Sequence, residues 1–266
     1  MTFRFTPGAT PLLISMPHLG TAIPDDIAAG MTEAGRAVPD TDWHLDRLYD
    51  FAAGLGAGLI MPANSRYVID LNRPPDGAAL YPGASNTELC PLTRFDDAPI
   101  YRDGRAPDEA EVARRRETYW RPYHERIAAE LARLRREFGI AVLFDAHSIR
   151  SVVPRFFEGR LTDLNLGFGA GQTAAPDLIA RLSAIAAGAR GHSHAVDGRF
   201  KGGYITRHYG RPAQDVHAFQ LELSQITSMD EDPPFAYRAD VAEGVRPTLR
   251  ALVEAMIAWS RIGART

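Results

Sequence analysis

Short apolar runs alternate along this chain with longer stretches whose apolar residues recur every three to four positions. Residues 11–16, built on Leu12-Leu13-Ile14-Ser15-Met16, read as a buried strand, and so do Leu59-Ile60-Met61, Tyr67-Val68-Ile69-Asp70-Leu71 and Ile140-Ala141-Val142-Leu143-Phe144. Val216 to Leu223 reads as a strand with partial alternation, and 193–197 and 203–207 read as short strands. Helical spacing appears over Thr32 to Arg36, over Asp40 to Leu55 before Gly54, Gly56 and Gly58, and over Ala175 to Ala187 and about Ala239 to Ser260. Asp108 to Phe138 is the clearest helix: Asp108 caps it, Pro122 kinks it and Gly139 stops it. Residues 74–106 and 150–173 lack a period and read as long loops, of the kind that carry function.

Strands alternating with helices predict an α/β fold, a three-layer α/β/α sandwich with a mixed sheet, in one domain over 1–266. With 266 residues, 45% of them hydrophobic and 24% charged, the chain can bury a sizeable core. A net charge of −3 gives no basic surplus for nucleic acid or an anionic membrane. A single cysteine, Cys90, excludes an intrachain disulfide and a thiolate metal cage. Met1-Thr2-Phe3-Arg4-Phe5 lacks a signal-peptide core, no run suits a membrane span, and a reducing cytoplasmic location is expected. Oligomeric state is left open.

Two histidines follow apolar runs directly: His18 in Pro17-His18-Leu19-Gly20 and His147 in Asp145-Ala146-His147-Ser148. Ligands of α/β sheets sit beyond the carboxyl ends of strands, so the two can meet over one site. Neutral imidazole is a common metal ligand, and a catalytic zinc site wants a third protein ligand and an open position. Asp42 and Asp46, four residues apart, can share one helix face; Asp145 is placed to orient His147. The competing reading is that both histidines only cap strand ends with hydrogen bonds. Arg73, just after the 67–71 run, can grip a carboxylate bidentately with Asn72 beside it, while Asp70 braces the loop. Glu222, an acid inside the apolar segment Phe219 to Leu223, is a candidate general base and acid. In the glycine-rich stretch 198–210, Arg207 is placed to hold an anion, and a structural turn explains that stretch equally well. His208 is a weaker candidate; His44, His124, His192, His194 and His217 read as surface or packing residues, and Arg114 to Arg116 as a solvated helix face.

Several stretches, in order, resemble the N-formylglutamate amidohydrolases (N-formylglutamate deformylases). They are Pro17 to Thr21, Asp40 to Tyr49, Ser65 to Pro75, Asp145 to Arg150, Phe157 to Arg160, Arg199 to Pro212 and Gln220 to Leu223. The resemblance covers nearly the whole chain. It implies metal-dependent hydrolysis of N-formyl-L-glutamate to formate and L-glutamate, the last step of one bacterial histidine-degradation route. That family is more remotely similar to zinc carboxypeptidases and aspartoacylase-like deacylases, and so implies a fold of their kind. The likeness implies His18 and His147 as ligands of a divalent metal, zinc first, with Asn72 and Arg73 as carboxylate clamp and Glu222 as catalytic acid. Thr21 stands where the wider group has a glutamate ligand, so Asp42 or Asp46 is expected to replace it, Asp42 by preference. Arg66, Arg160 or Arg207 is expected to hold the second carboxylate of a small acidic N-acyl amino acid. The alternatives are a deacylase or carboxypeptidase for another N-acyl amino acid, or a non-enzymatic binder of acidic metabolites.

Overall fold

The computed structural model describes residues 2–79 and 86–263, so residues 80–85 of the long loop lie outside the described residues. The strands are β1 (Phe3–Thr6), β2 (Leu12–Ser15), β3 (Gly58–Pro62), β4 (Ala141–Ile149), β5 (Leu164–Gly167), β6 (His194–Val196) and β7 (Val216–Ser224). The helices are α1 (Asp25–Ala28), α2 (Glu33–Arg36), α3 (Leu45–Leu48), α4 (Glu109–Arg115), α5 (Arg121–Phe138), α6 (Pro176–Ala187), α7 (Tyr204–Tyr209) and α8 (Ala239–Gly263). Among the described residues the strands form one seven-stranded sheet in the order β1-β3-β2-β4-β7-β5-β6. It is mixed: β3, β2, β4 and β7 run parallel, while β1 pairs antiparallel with β3 and β5 antiparallel with β7.

Alternation along β4 builds the layers. Val142, Phe144 and Ala146 face a core completed by Leu178 and Leu182 of α6 and Leu249, Leu252 and Val253 of α8. Ala141 and Leu143 face the other way, onto Tyr123, Ile127, Leu131 and Leu134 of α5. The expected three-layer α/β sandwich with a mixed sheet is the fold observed.

Several local expectations are corrected. The helix expected over Asp40 to Leu55 is reduced to α3 and a short turn at Ala53–Leu55, because His44 adopts a left-handed conformation (φ 62°) and breaks the segment. No strand forms over 67–71. Its apolar residues Tyr67, Val68, Ile69 and Leu71 are buried, but Asp70 N–H donates to Leu89 O at 2.7 Å and the carbonyls of Val68 and Leu71 turn to helix side chains. Residues 203–207 open helix α7 instead of a strand, and β1 and β5 add strands at Phe3–Thr6 and inside the loop expected at 150–173. Pro122 stands in the first turn of α5. A π turn over Arg116–Trp120 precedes it, so the wider turn takes up the ring and its missing N–H. Arg115 is buried, not solvated.

Candidate active site

β4 extends to Ile149, so His147 lies within the strand and not past its end. Its last residues outrun β2, whose pairing stops at Ser15 opposite Asp145, and continue beside β7, which sets His147 opposite Glu222 and Asp145 opposite Gln220. On the face that carries Leu143 and Ala218 lower down, apolar residues give way to Asp145 and His147 on one strand and Gln220 and Glu222 on the next. His18 enters from the turn after β2. Gly20 is required there, since a Cβ would sit 2.3 Å from Asn64 O. Asp42 comes from the segment that failed to become helix. Its N–H donates to His18 O at 3.0 Å, and its Oδ2 accepts from Ser148 N–H at 3.1 Å.

The three side chains converge on one point. His147 Nδ1 lies 3.2 Å from His18 Nδ1 and 3.1 Å from Asp42 Oδ2, and His18 Nδ1 lies 3.7 Å from that oxygen. Each outer ring nitrogen faces a carboxylate: His18 Nε2 to Asp70 Oδ1 at 2.7 Å, His147 Nε2 to Asp145 Oδ2 at 2.9 Å. The Asp70 contact places the His18 proton on Nε2, and the same tautomer at His147, whose Nε2 also has Asn72 Nδ2 at 3.0 Å, leaves two Nδ1 lone pairs and an anionic oxygen aimed at one another. Such a cluster calls for a cation at its centre. The spacing suits one, because a tetrahedral site with arms of about 2.0–2.1 Å has edges of roughly 3.4 Å. His18, Asp42 and His147 therefore fit a divalent metal, with Asp70 and Asp145 orienting the imidazoles.

The buried carboxylates and imidazoles of the cluster shift one another. Burial pushes Asp42 upward, but hydrogen bonds and charge from His147 and His18 outweigh it and hold the carboxyl below its ordinary range. Burial likewise acts to raise Asp70, and the charges of His18, Arg73 and Arg66 outweigh it. His147 is held well above its usual value: burial lowers it, and Asp145 and Asp42 more than compensate. Glu222 is pushed up to about 8, chiefly by burial.

A cleft opens over the cluster, lined by His18, Arg66, Asn72, Arg73, Asn86, Phe95, His147, Ser148, Ile149, Phe156, Arg199, Phe200, Gly203, Gln220 and Glu222. Arg66 is buried, donates to Asp70 Oδ2 at 2.6 Å and lies over the Phe95 ring. Arg73 is braced by Asn72 O at 3.0 Å and Thr87 Oγ1 at 2.8 Å. The Asn72 amide is committed to the frame: Oδ1 accepts from Ile205 N–H at 2.8 Å and Nδ2 donates to Asp145 Oδ2 at 3.2 Å.

Three other expected residues stand apart. Asp46 lies on the outward face of α3, 3.8 Å from Arg4, with its side chain 48% accessible. Arg160 pairs with Asp163 at the surface, and Arg207 lines a separate hollow with Lys201 and Arg211. His208 stacks on Tyr204. Sequence reasoning passed over Arg199, although it marked the stretch that carries it, and over Gln220. Gln220 Oε1 accepts from Gly203 N–H at 2.7 Å, which turns its Nε2 toward Glu222 Oε2 at 3.3 Å. Its i, i+2 spacing from Glu222 on an extended segment was the available signal.

Comparison with known proteins points the same way. The family model described as N-formylglutamate amidohydrolase matches residues 10–229. A curated N-formylglutamate deformylase of Pseudomonas aeruginosa is 57% identical over 257 residues, 97% of this chain and 96% of the relative. One from Pseudomonas putida is 51% identical over 255 residues, 96% of this chain and 95% of the relative. A crystal structure of an N-formylglutamate amidohydrolase from Ralstonia eutropha superposes with a TM-score of 0.84 at 25% identity, over 98% of this chain and 99% of that one. An Agrobacterium tumefaciens gene product shares the fold, with a TM-score of 0.72 at 17% identity over 97% of this chain and 95% of that one. The chain belongs to the N-formylglutamate amidohydrolase family.

Proposed function

We propose that this protein is a single-domain, metal-dependent enzyme that hydrolyses N-formyl-L-glutamate to formate and L-glutamate. The observation that carries the reading is the convergence of His18 Nδ1, Asp42 Oδ2 and His147 Nδ1, within 3.7 Å of one another, in a cleft that also holds Glu222 and three arginines. The names of the two Pseudomonas relatives supply the substrate. Resemblance to the family supplies its place at the end of a histidine-degradation route, and the cytoplasm is the proposed location.

His18, Asp42 and His147 would hold the divalent ion, zinc by preference, which would supply Lewis-acid polarisation of the formyl oxygen and an acidified water. The protein's own groups do the rest. Glu222, opposite His147 in the cleft, accepts a proton from the attacking water and returns it to the amine nitrogen as the C–N bond breaks. Asp70 and Asp145 hold both imidazoles in one tautomer. Arg73 grips one substrate carboxylate bidentately, and Asn72 fixes the segment from which it projects. Arg199 and Arg66, both in the cleft, are the cations available to the second carboxylate or to charge developing on the formyl oxygen. Arg160 and Arg207, remote from the cleft, are not assigned that task.

The test is release of the free amino acid from N-formyl-L-glutamate, N-formyl-L-aspartate and N-acetyl-L-glutamate, with formate measured for the two formyl substrates, by zinc-loaded and EDTA-treated protein. Preference for N-formyl-L-glutamate and loss of activity in EDTA support the reading. Absence of formate release by the loaded protein, or full activity without metal, would overturn it.

A further inference from the structure

The helix that carries the π turn faces the backbone of the clamp. Residues 68–75 form neither strand nor helix, yet four of their carbonyl oxygens accept from side chains of that one helix. Arg115 Nη1 donates to Val68 O at 3.2 Å, His124 Nε2 to Leu71 O at 2.8 Å, Trp120 Nε1 to Arg73 O at 3.1 Å and Arg116 Nη1 to Pro75 O at 2.9 Å. The donors bracket Asn72 and Arg73 on both sides. They do for this irregular segment what ladder partners do for a strand. Trp120 and His124 stack with ring centroids 3.7 Å apart, which fixes where both N–H groups point. His124 Nδ1 lies 3.0 Å from the Tyr209 hydroxyl of α7, the helix whose Ile205 N–H holds Asn72 Oδ1. Asn72 is thus gripped through its own amide and through the carbonyl before it. Pro122 stands just past the π turn, and π turns inside α-helices are frequently associated with functional sites.

We propose that Trp120 is a positioning residue that sets the aim of Arg73 on the substrate carboxylate through the Arg73 carbonyl, with His124 and Arg116 supporting the same loop. The inference rests on the reading of Arg73 as the clamp. Trp120 lies outside the cleft lining, and its indole N–H reaches the clamp at the Arg73 carbonyl.

The experiment is a double-substitution cycle on zinc-loaded enzyme with N-formyl-L-glutamate. Trp120→Phe keeps an aromatic ring against His124 and removes the donor together with part of the indole ring. It is expected to raise KM about five- to tenfold, the worth of one hydrogen bond, with kcat within about twofold and metal content unchanged. In an Arg73→Ala background the same change should add nothing to KM, because the group it aims is gone. Unchanged KM for Trp120→Phe, or an equal rise in both backgrounds, overturns the proposal. Should Arg73→Ala alone leave KM unchanged, the clamp reading fails and this inference fails with it. Arg116→Met, at a side chain one-third exposed, answers independently if Trp120→Phe does not fold. It should raise KM by a smaller factor that also vanishes without Arg73, and an unchanged KM counts against the proposal.

Discussion

Replacing Asp70 by asparagine removes one charge from a fully buried array that the carboxylate holds on several sides. Oδ1 takes the His18 imidazole at 2.7 Å and Asn72 N–H at 2.9 Å, and Oδ2 takes the Arg66 guanidinium at 2.6 Å. An asparagine has one oxygen to offer, so its NH2 must face either His18 Nε2–H or Arg66, donor against donor. Leaving a buried charge without its partner costs about 3–5 kcal/mol. Arg66 keeps Asp42 at 3.9 Å, so the loss should lie near about 3 kcal/mol. His18 loses the anion that fixes its ring, and changes of this kind lower metal affinity about 10- to 100-fold. Competition with a chromophoric chelator reads the affinity, and denaturation in EDTA reads metal-free stability. Asp46→Asn is the control: its exposed pair with Arg4, at 3.8 Å, should shift stability by less than about 0.5 kcal/mol and leave zinc affinity alone. Zinc affinity within twofold of wild type for Asp70→Asn, or an equal loss for Asp46→Asn, would refute this reasoning.

Gly203→Ala places a Cβ 2.2 Å from Asn72 Nδ2; overpacking of this kind costs about 1–3 kcal/mol, and thermal denaturation should show a Tm several degrees lower, whereas an unchanged Tm contradicts the close approach. Arg199→Ala should raise KM for N-formyl-L-glutamate about tenfold or more while leaving a formylated neutral amino acid nearly unaffected; equal losses on both substrates would remove Arg199 from side-chain recognition. Burial lowers His124 to about 3 from its ordinary 6.5, so the unfolded chain binds the extra proton between those values. Stability from this group is therefore complete above about pH 6.5 and falls with pH, on the order of 1 kcal/mol per pH unit, until about pH 3. Urea denaturation of wild type and His124→Gln between pH 7 and pH 4 should show the gap between them shrinking as pH falls; a constant gap would exclude the effect.

His18, His147 and Glu222 were legible because each breaks a local pattern: an imidazole after an apolar run, an acid inside one. The choice between Asp42 and Asp46 was not. Four-residue spacing suggests one helix face, but His44 in the left-handed region ends that helix before it begins. Asp42 stays in an irregular turn against β4, and Asp46 points outward from α3. The 67–71 run shows why apolar content misleads, since it reports burial and says nothing of where carbonyls find partners. Here Val68 O and Leu71 O find Arg115 and His124, some fifty residues away in sequence, and no local period encodes that pairing. Arg199 and Arg207 lie in one glycine-rich stretch, and only the start of α7 at Tyr204 separates the cation in the cleft from the one outside it.

The most direct test of the central claim is turnover of N-formyl-L-glutamate by Glu222→Gln, measured alongside zinc content. The amide keeps the shape and leaves His18, Asp42 and His147 untouched, so zinc should remain at the wild-type level while formate release falls about 10²- to 10⁴-fold. Zinc retained with wild-type turnover would contradict the account, because the proton would then be passing through some other group.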